Sequence, residues 1–391
     1  MTSIFLLAAE ASGDLLGSQL IPSLRDISPS IKLWGIGGPR IRTTLFESLI
    51  PMEQFQMMGF KDCVARLPAL IRQFRTIRNQ ILDRRPDTVI LIDYPGFNLR
   101  LAKSLRRHGY KGKIVQYVSP TVWVWGKKRI DAIAKYYDQL LCILPFEPPL
   151  YAHTGLDVRY VGHPVVEAVE TFRQNPAAAH PEKKLLALFP GSRRSEIQNN
   201  FPLQLSVAKT LTEKHADMQV AVSCSQTQYR PLIEKMLHNA SMQQLTQITD
   251  DSYPLMESCH AALAKSGTVT LELSLFNKPA AIVYQVERLN RFIAKHVLRL
   301  DLEHVGIVNI LAKKTVQPEF VIEPFTMEQL SSTVDRLFSD DDARLACLEG
   351  YRQITEILGP KKASKEAARA ILTPDYAPNP RRDALEKCTS A

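Results

Sequence analysis

Short β-rich runs alternate with amphipathic helical stretches through the first half of the chain. The runs predicted as strands are 3–9, 31–36, 88–92, 113–118, 139–143 and 158–162. Apolar residues at helical spacing lie between most of them. Alternating strands and helices favour a parallel sheet covered by helices on both faces. The first half is therefore predicted to form one doubly wound domain.

The same pattern restarts in the second half, beyond a segment that lacks bulky apolar residues. This segment, RQNPAAAHPEKK at 173–184, is rich in proline and alanine and is the predicted interdomain linker. The strands predicted after it are 185–189, 218–223, 244–248, 261–264 and 279–284. The sequence thus predicts an α/β fold in which two doubly wound, Rossmann-like parallel-sheet domains face each other across a cleft.

These patterns also set the expected domain boundaries. The N-terminal domain should cover 1–174 and the C-terminal domain 175–358. The helical region 341–358 is expected to lead back to the first domain, which helices at about 359–372 then rejoin. Residues 373–391 carry three prolines and few large apolar residues, so they are expected to form a disordered tail.

Composition narrows the class of protein. A chain of 391 residues exceeds the roughly 250–300 residues at which a single core stops growing, as two domains require. No stretch reaches the roughly 18–20 apolar residues of a membrane-spanning helix, and the short apolar run at the N-terminus has no basic leader. The six scattered cysteines form no C-x-x-C pair, which favours free thiols in a reducing compartment such as the cytoplasm.

The formal net charge of +9 indicates an anionic partner, which could be nucleic acid, anionic lipid or a phosphorylated substrate. Charge alone does not choose among these three. The chain carries none of the usual nucleic-acid-binding motifs, so no nucleic-acid partner is expected.

In doubly wound sheets, ligands bind at the carboxyl ends of the strands, so the loops there are the first place to look for chemistry. After the first strand, Ser12, Gly13 and Asp14 precede a helix, where small residues let a ligand approach free N–H groups. A helix capped by Ser12 or Asp14 is the alternative.

After the third strand, Asp93 is placed to accept a proton from a hydroxyl nucleophile. The alternative is that Asp93 caps the next helix.

The next two strands end in loops with aromatic and acidic residues. Ser119 and Trp123 lie in SPTVWVWG, together with Trp125. Aromatic faces stack on sugar rings, although an ordinary core contact is the alternative. Glu147, in LPFEPP, could either begin a short helix or meet a substrate.

The second half begins with a strand that leads into a basic loop of Gly191, Ser192 and Arg193, followed by Arg194. The glycine allows close backbone approach, and arginines donate bidentate hydrogen bonds to phosphate. The alternative is a basic turn on the surface.

A compact β–loop–α–β unit at 261–284 gives the clearest local signal. Ser266, Gly267 and Thr268 begin its helix, where N–H groups and the helix dipole would hold a diphosphate, and Lys265 adds charge. Glu272 follows one turn later and could accept hydrogen bonds from both hydroxyls of a ribose. The unit is not a Walker loop, because G-x-x-x-x-G-K-[ST] is absent.

No metal site and no cofactor are predicted. The acids at 340–342 have the pattern of a helix start, and His163 is expected to be a loop histidine with its hydrogen bonds satisfied. We expect the helix terminus and the basic side chains to meet the charge of a diphosphate without an obligatory cation.

Taken in order, these segments resemble the lipid-A-disaccharide synthases, a glycosyltransferase family. Each motif is weak alone, but the ordered set spans 3–372 and is highly specific. The matching segments are Glu10–Asp14, 57–60 (MMGF), 92–98 (IDYPGFN), 117–125 (YVSPTVWVW), 144–147 (LPFE), 162–164 (GHP), 188–193 (LFPGSR), 265–272 (KSGTVTLE), Asn309 and 317–320 (QPEF).

The resemblance implies the two-domain glycosyltransferase B architecture and a reaction that needs no metal. It implies transfer of 2,3-diacylglucosamine from its UDP derivative to 2,3-diacylglucosamine 1-phosphate, which gives a β-1,6-linked disaccharide 1-phosphate and UDP. The family's general base falls on Asp93, its nucleotide-binding arginine on Arg193 and its helix carboxylate on Glu272. Asn98 and Asn309 join the expected substrate-binding residues.

One departure limits what can be carried over, because many relatives have a second aspartate where this chain has Gly96. Another UDP-sugar enzyme of the same architecture is the enzymatic alternative, either an epimerase or the transferase that makes the cell-wall disaccharide lipid. A non-catalytic protein that binds sugar nucleotide or lipid is the alternative from another class. A homodimer is left open.

Acylated substrates would bring the enzyme to an anionic membrane surface, on the cytoplasmic face of the bacterial inner membrane. The expected contact is 57–85, where Met57, Met58, Phe60, Val64, Leu67 and Ile71 lie among six arginines. The alternative is a surface helix pair with solvated arginines. The helical stripe of Leu70, Phe74, Ile77 and Ile81 is expected to pack on the sheet instead.

Overall fold

The computed structural model describes residues 2–44, 46–54, 60–124, 126, 129–174, 184–285, 303–321 and 324–373, without the side chains of 54 and 60–68. The chain folds into two compact units. Unit 1 comprises Met1–Pro164 with Lys361–Ala391, and unit 2 comprises Val165–Pro360. Among the described residues, no helix is long and apolar enough to cross a membrane.

Unit 1 is built on seven parallel strands in the order β3-β2-β1-β4-β5-β6-β7. The strands are β1 Ser3–Ala8, β2 Lys32–Gly37, β3 Glu47–Pro51, β4 Thr88–Ile92, β5 Lys113–Tyr117, β6 Gln139–Cys142 and β7 Asp157–Tyr160. The helices are α1 Ala11–Ile27, α2 Pro39–Arg42, α3 Phe60–Arg84, α4 Pro95–Arg107 and α5 Arg129–Tyr136, with short 3-10 turns at Met52–Gln54 and Pro148–Tyr151.

The central strands of this sheet are buried on both faces. All five residues of β4, TVILI, are buried, which is why its sequence is a continuous apolar run rather than an alternating one. The strand order reverses between β1 and β4, so the loops that follow these two strands leave the sheet side by side. Such a reversal is where doubly wound sheets bind ligands.

Unit 2 repeats this design with six parallel strands in the order β10-β9-β8-β11-β12-β13. The strands are β8 Leu185–Phe189, β9 Gln219–Ser223, β10 Thr246–Thr249, β11 Ala261–Ala264, β12 Ala280–Val283 and β13 Glu319–Phe320. The helices are α6 Pro164–Gln174, α7 Arg194–Lys214, α8 Arg230–Asn239, α9 Ser252–Ser258, α10 Thr268–Leu275, α11 Ile307–Ala312, α12 Met327–Ser339 and α13 Asp341–Leu358, with a 3-10 turn at Thr227–Tyr229. Here the order reverses between β8 and β11.

The predicted α/β fold with two Rossmann-like parallel-sheet domains is confirmed. Two strands went unpredicted for identifiable reasons. The edge strand β3 has no fully buried residue, and β13 is only two residues long, so neither produces a recognisable apolar pattern.

The unit boundary lies earlier than the boundary expected at 174/175, because α6 packs on unit 2. The ring of Phe172 makes edge-to-face contacts with Tyr253 and Phe276, and Arg173 donates a hydrogen bond to the Leu275 carbonyl. The proline-rich composition predicted a linker after this helix. The aromatic contacts show that the helix itself already belongs to unit 2. Of the predicted linker, 175–183 lie outside the described residues.

The return to unit 1 also comes later than expected. Helix α13, predicted to lead back, packs within unit 2, where the Cys347 thiol donates to Val316 O and the Tyr351 hydroxyl to Lys278 O. The helix that rejoins unit 1 is α14, Ala363–Leu372, which lies in the predicted range of 359–372. The expected tail lies outside the described residues from 374 onward.

Helix α14 is held on unit 1 by both polar and apolar contacts. Ser23 Oγ donates to Ser364 Oγ at 3.1 Å, and the side chains of Lys113 and Gln139 donate to the last carbonyls of the helix. Its inner face is buried, with Ile371 only 4% exposed. The C-terminal segment is therefore part of the core of unit 1.

We expect Ile371→Ala to lower the free energy of unfolding of unit 1 by about 2–4 kcal/mol, because it leaves a cavity under α14. All three tryptophans of the chain lie in unit 1, so tryptophan fluorescence during urea unfolding reports on this unit. Ile357→Ala is the matched control, because that side chain is 39% exposed on α13. Equal urea midpoints for the two variants would contradict a core role for α14.

Candidate active site

The turn after β4 holds two consecutive residues in the left-handed region, Asp93 at φ 50° and Tyr94 at φ 42°. Neither is glycine. A non-glycine residue in this region costs about 1–3 kcal/mol of conformational free energy, which interactions with the surrounding structure must offset. Pro95 then begins α4 at a position where its missing N–H is not needed. The turn brings the Asp93 side chain out of the sheet at its carboxyl edge, where it is half-buried.

Ser12 meets Asp93 across the reversal in strand order. Ser12 lies in the first turn of α1 rather than before the helix as expected. Its hydroxyl donates a 2.7 Å hydrogen bond to Asp93 Oδ2, and this bond joins α1 to the turn that follows β4. Among the described residues, Asp93 Oδ1 has no hydrogen bond, so one oxygen of the carboxylate is fixed and the other is not.

The neighbours of Ser12 serve the fold. The buried Asp14 carboxylate accepts hydrogen bonds from the backbone N–H groups of Gly38, Arg40 and Ile41 at 2.8–3.0 Å, so it caps α2 rather than its own helix. A Cβ added at Gly13 would meet Ala8 at an ordinary contact distance of 3.4 Å, so this buried position packs on the sheet. The structure therefore does not group Gly13 and Asp14 with Ser12 at the Asp93 carboxylate.

Four further candidates in unit 1 make contacts within the unit. Asn98 is fully buried and donates to the Asp93 carbonyl. Ser119 is buried, with its hydroxyl 3.1 Å from Tyr151 Oη. The ring of the half-buried Trp123 packs edge-to-face on Phe146. Trp125 lies outside the described residues.

Glu147 is the fourth, and it is only 1% exposed. Its carboxylate lies 3.2 Å from the Leu144 N–H, and burial raises the pKa of this carboxyl to about 8. Glu147 also stands directly before the 3-10 turn Pro148–Tyr151, but its side chain makes no capping hydrogen bond to that turn. The carboxylate instead bonds back to Leu144.

The candidate residues of unit 2 converge on one pocket of about 360 Å³ at the carboxyl edge of its sheet. The pocket spans the reversal between β8 and β11. Its lining includes every predicted residue of the two loops and of α10, namely Gly191, Ser192, Arg193, Lys265, Ser266, Gly267, Thr268 and Glu272.

Glu196, which was not predicted from the sequence, organises the basic side of this pocket. Its Oε2 accepts the Ser192 N–H at 3.0 Å, and its Oε1 lies 3.2 Å from Lys265 Nζ. Burial acts to raise the pKa of Glu196, but Lys265, the Ser192 N–H and Arg193 outweigh it and lower the pKa overall. The position of Glu196 in the first turn of α7, after a basic loop, was the available signal.

Glycine is required at position 191, because any side chain there would collide with Glu196. Its φ is +121°, and an added Cβ would lie 2.7 Å from the Glu196 side chain. The other pocket residues that sequence reasoning missed are Ser223, Ser225 and Ser252. Ser223 ends β9, Ser225 follows that strand, and Ser252 follows β10, so strand ends were again the signal.

Glu272 also lines the pocket. The Tyr253 hydroxyl donates to its Oε1 at 3.2 Å, and the Tyr253 ring packs against Phe172 and Phe276. Burial raises the pKa of Glu272 to about 7. The lining of the pocket thus combines backbone N–H groups, cations and this carboxylate.

Asn309 lies outside this group. It is fully buried; its amide nitrogen donates to Gln317 O and Glu319 Oε1, and its amide oxygen accepts from Val316 N and Gln317 N. These four hydrogen bonds connect α11 to the segment that leads into β13. Asn309, which was expected to bind substrate, is therefore fully engaged in hydrogen bonds within unit 2.

Residues of the types that bind metals are dispersed through the part of the chain that the structure describes. Among these residues, no three His, Cys, Asp or Glu side chains are grouped to hold a metal ion. Asp340 accepts hydrogen bonds from the N–H groups of Asp342 and Ala343 at the start of α13, so the acids at 340–342 are a helix start as predicted.

Known structures share this fold. A UDP-GlcNAc 2-epimerase from Neisseria meningitidis aligns over 95% of this chain and 99% of its own, with a TM-score of 0.58 at 11% identity. The glycotransferase of kitacinnamycin aligns over 95% and 99%, with a TM-score of 0.61 at 12% identity. At such identities the likeness establishes the fold alone.

Sequence comparison is more specific. A lipid-A-disaccharide synthase from Geobacter sulfurreducens is 35% identical over 378 residues, which cover 94% of this chain and 96% of that protein. Its counterpart from Chlamydia pneumoniae is 37% identical over 345 residues, and the chain spans only 57% of that longer protein. The model of the family described as lipid-A-disaccharide synthetase matches residues 4–371. The chain therefore belongs to the lipid-A-disaccharide synthetase family.

Proposed function

We propose that the protein transfers 2,3-diacylglucosamine from its UDP derivative to the 6-hydroxyl of 2,3-diacylglucosamine 1-phosphate. The products are the β-1,6-linked lipid A disaccharide 1-phosphate and UDP. Family membership disfavours the epimerase, the cell-wall transferase and the non-catalytic alternatives. The observation that carries the proposal is the pocket of unit 2, whose lining combines Lys265 and Arg193 with the Glu272 carboxylate.

In this proposal unit 2 holds the donor. The diphosphate lies against the N-terminus of α10, where the N–H groups of Ser266 and Gly267 precede the helix, that of Thr268 begins it, and the positive end of the helix dipole adds to them. Lys265 and Arg193 add positive charge beside it. The Glu272 carboxylate accepts hydrogen bonds from the ribose hydroxyls. No obligatory cation is needed to neutralise the diphosphate in this arrangement.

Unit 1 supplies the acceptor chemistry. Asp93 Oδ1 takes the proton of the acceptor 6-hydroxyl as its oxygen attacks the anomeric carbon of the donor. The bond from that carbon to the UDP oxygen breaks, and the electron pair leaves with UDP. Attack on an α-linked donor to give a β-linkage inverts the anomeric carbon in one in-line displacement.

The acylated substrates bring the protein to a membrane surface in this proposal, peripherally on the cytoplasmic face of the inner membrane. The described part of α3 supports this contact, because Ile71 is 45% exposed beside the exposed Arg72 and Arg75. Ile77 and Ile81 on the same helix are fully buried, as predicted for the core stripe. The expected contacts at Met57, Met58, Phe60, Val64 and Leu67 lie outside the described side chains.

We expect Asp93→Asn to lower kcat by about 10²–10⁴-fold, because the amide keeps the shape but cannot accept the proton. Turnover is measured as disaccharide formed from UDP-diacylglucosamine and the acylated sugar phosphate. UDP affinity, measured by titration calorimetry, serves as the control and should stay unchanged because the nucleotide binds unit 2. A folded variant with nearly the parent kcat would remove Asp93 from the mechanism.

UDP-sugar affinity should rise with pH, because ionised Glu272 accepts hydrogen bonds from both ribose hydroxyls more strongly than the protonated acid does, and its pKa is raised to about 7. Between pH 6 and pH 8 the ionised fraction, and with it the affinity, should grow up to roughly tenfold. UDP-N-acetylglucosamine is a suitable probe, since its diphosphate diester does not titrate in this range. No histidine lines the described pocket to mask the effect.

Glu272→Gln should bind this probe weakly and with little dependence on pH in the same titrations. Glu234→Gln, at an exposed glutamate of α8, is the matched control and should keep the parent's dependence on pH. If the Glu272 variant matched the parent in both affinity and slope, Glu272 would be a structural residue of the helix.

We expect the double variant Arg72→Glu, Arg75→Glu to bind vesicles that contain phosphatidylglycerol about tenfold more weakly or worse, since each basic residue near an anionic surface contributes about 1 kcal/mol. Cosedimentation with the vesicles is the measurement. Arg336→Glu, Arg352→Glu is the control, because it changes the net charge equally on two exposed arginines of unit 2. Equal loss in both variants would mean that net charge, not α3, drives binding.

A further inference from the structure

Gln116 is a polar residue in the middle of unit 1. It lies on β5, KIVQY, and is fully buried. A buried amide is unfavourable unless its hydrogen bonds are satisfied. Its Nε2 lies 3.0 Å from the Asp93 carbonyl and 3.1 Å from the Val118 carbonyl, and its Oε1 accepts from Asn98 Nδ2 at 3.3 Å. The surrounding carbonyls fix which end of the amide is the donor.

The carbonyls that Gln116 binds belong to backbone that is strained. Asp93 has a φ of 50°, and Val118, a β-branched residue, has a φ of 75°. These residues directly follow β4 and β5, respectively, so the one amide joins the chain at the ends of two neighbouring strands. Asn98 donates to the same Asp93 carbonyl from α4. Two fully buried amides therefore converge on one backbone oxygen.

We propose that Gln116 is a positioning residue for Asp93, holding the left-handed turn that presents the carboxylate. Gln116 touches no reacting atom; it acts through the backbone of Asp93 and leaves the side chain to Ser12. The inference rests on the proposed function, in which Asp93 is the general base. Displacement of a catalytic group by about 1 Å is enough to lower a rate by roughly 10²-fold.

Gln139 distinguishes positioning from ordinary structural support. It is also fully buried, on the neighbouring strand β6, and its Nε2 donates to Asp157 Oδ2 at 2.7 Å and to Ala370 O at 3.1 Å. None of its partners is Asp93 or a residue of the Asp93 turn. Replacing either glutamine with methionine keeps length and removes buried hydrogen bonds, but only one replacement releases the turn.

The test compares Gln116→Met with Gln139→Met. We expect Gln116→Met to lower kcat by about 10–100-fold, with KM for the UDP-sugar donor and UDP affinity within about twofold of the parent. Gln139→Met should keep kcat within about twofold, whatever it does to the urea midpoint. Equal effects on kcat at matched folded fraction would overturn the proposal.

Gln116→Asn provides a second variant should the methionine variant not fold. It keeps a buried amide but withdraws it by one carbon from the Asp93 carbonyl, so a reduced kcat is again expected. A parent-like kcat in Gln116→Asn would overturn the proposal.

Combining each variant with Asp93→Asn separates this inference from the proposed function. If Gln116 acts through Asp93, adding Gln116→Met to Asp93→Asn should lower kcat less than about threefold further. Multiplicative losses would assign Gln116 a role independent of Asp93 and would refute the positioning. A fully active Asp93→Asn alone would instead refute the general-base assignment.

Discussion

Polar groups at the end of a buried parallel strand must find hydrogen-bond partners where water cannot reach them. In unit 1 this constraint shapes the whole carboxyl edge of the sheet. Asp14 satisfies three N–H groups of α2, and Asn98 and Gln116 satisfy the carbonyl of Asp93. Backbone groups of these segments are thus satisfied by buried side chains, and the Asp93 carboxylate is left half-buried at the edge of the sheet.

Both units use the same architectural position for chemistry, although with opposite electrostatics. The reversal of strand order opens a crevice between β1 and β4 in unit 1 and between β8 and β11 in unit 2. The first crevice presents the Asp93 carboxylate, suited to accept a proton. The second presents a helix N-terminus with Lys265 and Arg193, suited to hold an anion. The transfer reaction proposed above requires both groups, and the two units offer them at equivalent positions of one repeated fold.

Two glutamates line the pocket of unit 2, and their different surroundings shift the pKa values of the two carboxyl groups in opposite directions. Glu196 has Lys265, the Ser192 N–H and Arg193 about it, so its pKa is lowered and it stays ionised as the partner of these donors. Glu272 has a tyrosine hydroxyl and an aromatic wall, so burial raises its pKa to about 7. The first therefore anchors the cationic loop at any working pH, whereas the second responds to pH near neutrality.

The sequence by itself determined the α/β class, most strands, the two-domain plan and the family. Strands such as TVILI are buried on both faces, so they appear in the sequence as runs of consecutive apolar residues. The family is recognisable because its motifs occur in a fixed order along the chain. The sequence also placed the pocket loops of unit 2, since strand ends of a doubly wound sheet meet at one edge.

Only the tertiary structure decided which polar side chains form hydrogen bonds inside the units and which face a pocket or solvent. Asn98, Glu147 and Asn309 belong to motifs that suggested substrate contacts, yet each is buried and hydrogen-bonded to backbone groups of its own unit. Gln116 and Glu196 gave weak local signals, because their roles come from pairings between separate strands and loops. Hydrogen bonding of buried groups is settled by neighbours in space, and a linear sequence does not specify those neighbours.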